Sequence, residues 1–152
     1  MFSVEDFLWY VDDAIDGMVA IVTELGDDLA NTAIDTPGAN SPYVVLTHCL
    51  GVMEWWGGYF IAGRAIDRDR DAEFVARGSV ADLARRSRAA RDQLRADLVA
   101  FDPHAPPAGT PAPEWADEPC ARTQGGTALH IYRELAQHRG QMEITRDVLL
   151  TR

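Results

Sequence analysis

Residues 43–63, YVVLTHCLGVMEWWGGYFIAG, are almost wholly apolar, and a run of this length must either cross a membrane or lie buried inside a helical bundle. The run contains His48, Glu54 and four glycines, and the chain offers no second such run and no basic flank to orient it. A buried helix is therefore expected, running to about Arg64, with Ser41 as N-cap and Pro42 in its first position. No membrane partner is expected.

The rest of the chain must supply what covers that helix. Phe7, Leu8, Val11, Ile15, Met18, Val19 and Val22 recur at three- and four-residue spacing, which predicts a first helix over residues 4–29 capped by Ser3. The segment NTAIDTPGANSP breaks that period and reads as a loop. After the apolar helix, the alternating charges of AIDRDRD read as a solvated surface connection with weak local ion pairs.

Leu83, Ala90, Leu94 and Leu98 form the stripe of a third, half-solvated helix over residues 80–101. Six of the eight prolines fall within residues 102–119, so that stretch is expected to cross the surface extended, with His104 exposed. Gly125 and Gly126 then precede a last helix over residues 127–150, with Leu129, Leu135, Met142, Val148 and Leu149 as its apolar positions. The fold expected is all-α: a four-helix bundle forming a single domain over residues 1–152.

A net charge of −10 argues against a nucleic-acid partner, because phosphate binding needs a basic surface. The start of the chain turns acidic at Glu5 and has no basic leader region, so no secretion signal is expected. Two cysteines, Cys49 and Cys120, are too few for a disulfide scaffold and suit a reducing cytoplasm.

Two polar anomalies interrupt the apolar pattern. His130, Glu134 and His138 follow at four-residue steps and so share one helix face near Ile131, Leu135 and Met142, where an unpaired carboxylate is costly. His48 stands among Val45, Leu46, Leu50 and Val52 with almost no hydrogen-bonding company. Together, His48, Glu134 and His138 offer two neutral nitrogens and one anionic oxygen, a set that suits zinc or a similar divalent ion and leaves a position open. Spacing alone leaves a second reading open, in which the histidines are satisfied core residues and Glu134 pairs on the surface with Arg133 or Arg139.

The segments NSPYVVLTHCLGVMEWW and ELAQHRGQMEITRDVL resemble the DinB-like superfamily of thiol-dependent metalloenzymes, and the resemblance spans nearly the whole chain. It implies an up-up-down-down four-helix bundle whose metal is held by a histidine of the second helix and by a C-terminal His-x-x-x-His-x-Gly-Gln motif. The matching residues are His48, Glu134 and His138, with Gly140 and Gln141 completing the motif. Glutamate replaces the first motif histidine, as in the branch that contains the mycothiol-dependent maleylpyruvate isomerase, and it cancels one of the ion's two charges, tempering its Lewis acidity. That isomerase carries a further C-terminal domain, so turnover of its substrate is not expected from a chain ending at Arg152.

The resemblance also implies a low-molecular-weight thiol such as mycothiol as cosubstrate and a small electrophile as its partner. On that reading the chain is a metal-dependent thiol S-transferase or isomerase using zinc, with nickel second. The other function it allows is a non-catalytic metal- or small-molecule-binding stress or resistance protein. His130 and Gln141 read as residues that orient a ligand or substrate, or as ordinary rim and backbone-bonded residues. Trp9, Trp55, Trp56 and Tyr59 read as pocket walls or as core. Cys49 projects about 100 degrees from His48 and reads as a small core residue rather than a fourth ligand. A homodimer through the first two helices is expected.

Overall fold

The computed structural model describes residues 3–151, which form an all-helical bundle; no strand occurs among them. Residues 1, 2 and 152, the ends of the expected domain, lie outside the described residues. Helix α1 (Val4–Ala30) begins where foreseen: the Ser3 side chain accepts from the Asp6 backbone while Asp6 returns the bond to the Ser3 N–H, and the helix kinks near its end at Gly26, φ 67°. Helix α2 (Pro42–Val52) starts at the Ser41 cap and continues without a break as a π-helical stretch, Met53–Ile61. A four-residue helix, α3 (Arg70–Glu73), forms inside the charge-rich stretch expected to be a plain connection. Helix α4 (Val80–Asp97) ends earlier than the apolar stripe suggested.

Helix α5 (Gln124–Leu150) contains Gly125 and Gly126 in its first turn instead of following them. A Cβ at Gly126 would stand 2.0 Å from the Pro119 carbonyl oxygen, so the glycine is present because the proline-rich segment lies directly on the helix start. Composition marked that position as a break; close packing is the actual reason for it.

The bundle buries one contiguous apolar cluster drawn from α1, α2, the π-helical stretch, α4 and α5. Ile15, Met18, Leu46, Met53, Leu83, Leu94, Ile131, Leu135 and Met142 are its largest fully enclosed members. Each contributes about 1.5–3 kcal/mol relative to an exposed side chain. Every residue from Ser41 to Leu50 is buried within the chain. Along that length α2 has no free face for a homodimer, because the bundle has already used it. No helix among the described residues is long and apolar enough to cross a membrane.

Candidate metal centre and aromatic cavity

Helices α2 and α5 pack side by side, and that contact brings together residues that are 86 positions apart at the nearest, since 134 − 48 = 86. One ligand atom each from His48, Glu134 and His138 lies within 4.8 Å of the other two. The His48 and His138 rings meet edge to face with centroids 5.2 Å apart, and Glu134 Oε2 is 3.8 Å from His138 Nε2. His48 is buried; Glu134 and His138 are half-buried at the edge of the core.

Each imidazole has a hydrogen-bond partner at Nδ1, which leaves Nε2 as the nitrogen free for the converging group. His48 Nδ1 lies 2.8 Å from Glu73 Oε2, and His138 Nδ1 lies 2.9 Å from Gln141 Oε1. A carboxylate only accepts hydrogen bonds, and the amide oxygen assigned to Gln141 does likewise, so in each neutral ring the proton sits on Nδ1 and Nε2 keeps its lone pair. Two bare Nε2 atoms and one carboxylate oxygen form a donor set that fits a divalent ion of the zinc type.

Glu134 stays ionised at this depth. Burial opposes its charge, but the hydrogen bond from Arg133, 3.0 Å away, with the neighbouring His130 and His138, outweighs it and holds the carboxyl below its ordinary value. Burial likewise pushes the His48 and His130 imidazoles below their ordinary range, against the pull of Glu73 and Glu134 respectively. His130 is buried, packs 4.4 Å from the Trp56 ring, and accepts at Nδ1 from Arg133 at 3.3 Å. Its Nε2 is 4.0 Å from Glu134 Oε1, which is beyond hydrogen-bond reach.

A cavity of about 640 Å³ opens beside these groups, with His48, Glu134 and His130 on one side and Trp55, Trp56 and Tyr59 on another. The π-helical stretch carries this aromatic wall, in which Trp55 stacks on Tyr59 at 4.7 Å and Trp56 on Phe60 at 4.6 Å. Such stretches are rare and are frequently found at functional sites. Trp9 takes no part: it is 63% exposed on α1. Cys49 is fully buried in the core, outside the converging group, and burial drives its thiol far above the ordinary range.

Sequence reasoning missed three participants. The proline-rich segment does more than cross the surface: Thr110, Pro111, Ala112 and Trp115 close the cavity, with Trp115 5.7 Å from the Trp56 ring. A tryptophan standing alone among prolines was the available signal. Arg68 and Glu73 lie in or beside the run read as solvated surface, yet Glu73 is only 8% exposed. Nothing in an alternating charge run distinguishes such residues from solvated neighbours. His104 is exposed, as expected.

No curated protein and no solved structure is similar enough to the chain to count as a match. The family model of mycothiol-S-transferases does match, over residues 6–150, which takes in α2, α5 and every residue of the site just described. The chain belongs to the mycothiol-S-transferase family, a DinB-like family.

Proposed function

We propose that this protein is a metal-dependent S-transferase that joins mycothiol to a small, largely apolar electrophile, with His48, Glu134 and His138 as the metal ligands. The observation that carries this reading is the convergence of three oriented donors beside an aromatic-walled cavity roomy enough for a small ligand. Zinc is the ion we assign, with nickel second, because two imidazoles and one carboxylate suit either. When bound, the ion supplies Lewis acidity that lowers the pKa of a thiol placed beside it.

The chain's own residues do the rest. Glu73 and Gln141 hold the two imidazoles with Nε2 inward, and Arg133 keeps Glu134 anionic. Trp55, Trp56, Tyr59 and Trp115 offer flat apolar faces to the electrophile and exclude water around the sulfur. Asp67, Arg68 and Arg70 lie along the same cavity and provide polar contacts for the sugar and amide parts of a thiol cosubstrate. In the reaction the sulfur forms a bond to the electrophilic carbon, the displaced electron pair leaves with the departing group or shifts into a conjugated acceptor, and the thiol proton passes to water or to that acceptor.

Storage of a metal alone needs no cavity at the donors, so the open cavity beside them favours a site that also takes an organic ligand, as turnover requires. A cytoplasmic location accords with this reading, since both cysteines are free and buried. If the protein is a homodimer, exposed Trp9, Tyr10 and Leu129 provide its apolar surface.

The test is loss of a chromogenic electrophile with mycothiol present or absent, using wild type and a His48→Ala, His138→Ala double variant. Thiol-dependent conversion that disappears in the variant supports the reading. Equal rates in both proteins would refute it.

A further inference from the structure

Glu73 is a buried carboxylate facing His48, and three features fix its position. Its Oε2 meets His48 Nδ1 at 2.8 Å. Arg68 grips both of its oxygens, Nε to Oε1 at 2.6 Å and the terminal nitrogen to Oε2 at 2.9 Å. Arg68 is itself mostly enclosed, its side chain 15% exposed against 9% for Glu73. The third feature is an absence: a Cβ built on Gly51 would lie 2.1 Å from Glu73 Oε1 and 2.7 Å from its carboxyl carbon. Gly51 stands three residues after His48, so it leaves open the space one helical turn along in which the carboxylate rests.

We infer that Gly51, Glu73 and Arg68 act together as a positioning device that locks His48 in the Nδ1–H tautomer and turns its bare Nε2 toward Glu134 and His138. An imidazole has two nearly equivalent tautomers and free rotation about its side-chain bonds; an acceptor fixed on Nδ1 selects one tautomer and one ring orientation. Arg68 stops the carboxylate from swinging away, and its bidentate grip sets the plane of the acceptor. The charge-rich stretch and α3 fold inward to deliver this pair, which gives a reason for a buried charged cluster in a segment that otherwise resembles surface. The inference rests on His48 being a metal ligand, but the tautomer is a property of the metal-free chain and can be read without metal.

The test compares wild type, Glu73→Gln and Gly51→Ala by nitrogen-15 NMR of the imidazole rings in metal-free protein, and by zinc affinity in competition with a chromophoric chelator. Gly51→Ala keeps both charges of the Glu73–Arg68 pair and displaces only the carboxylate, so it answers the question even if Glu73→Gln folds poorly. Wild type should show His48 as a single Nδ1–H tautomer, both variants a mixture or the other tautomer, and zinc affinity in both should fall by about 10- to 100-fold. A His48 tautomer and zinc affinity unchanged in Gly51→Ala would overturn the inference. A tautomer that responds as expected in a protein with no zinc affinity would uphold the positioning role and sink the metal reading of the site.

Discussion

Adding zinc to the metal-free protein should raise its thermal stability, because the folded chain already gathers the donors and the unfolded chain does not. Because one atom each from His48, Glu134 and His138 already lies within 4.8 Å of the others in the folded chain, binding requires no refolding. The unfolded chain keeps Glu134 and His138 near each other but loses His48, 86 positions away from Glu134, and binds the ion more weakly. Selective binding to the folded state at about a hundred times the Kd then adds about 2.7 kcal/mol. For a chain of 152 residues, each kcal/mol shifts the midpoint by about 2–4 °C, so Tm should rise by about 5–11 °C. The assay is differential scanning calorimetry of chelator-stripped protein with and without zinc, beside the His48→Ala, His138→Ala variant. The variant should show little or no rise. A wild type that gains nothing, or a variant that gains as much, would refute the argument that these three side chains form the site.

Two further predictions concern buried titratable groups. Burial lowers His48 and His130 below 6.5, the ordinary value that the unfolded chain regains, so the unfolded state takes up protons first as pH falls. Metal-free stability should hold above pH 6.5 and decline as pH drops through the lowered folded values; urea midpoints equal at pH 7.5 and 5.5 would contradict this. Cys49 and Cys120 are both buried with thiols pushed up by burial, so a thiol-specific dye at pH 8 should label neither in folded protein and both in denaturant. Rapid labelling of the folded chain would show that the core is open there.

The helices were legible wherever a local rule governs them. Ser3 and Ser41 cap the helices they were expected to cap, because a cap is satisfied within three residues of itself. The charge-rich stretch was misread because burial of Arg68 and Glu73 depends on the empty space at Gly51 and the imidazole of His48, both distant in sequence. Gly125 and Gly126 were misplaced for a similar reason: their neighbour across the gap is the proline-rich segment. Trp9 has the composition of a pocket wall and the location of a surface residue, which only packing decides.

From the sequence alone came the helical class, since period and caps are local, and the candidate trio of His48, Glu134 and His138, since a polar group on an apolar face needs a partner. Tertiary structure alone decided whether those three meet, which nitrogen of each imidazole turns inward, and what encloses the cavity beside them. Each of these depends on which faces of α2 and α5 are in contact and on a carboxylate supplied from a third element, and a linear pattern holds no record of either.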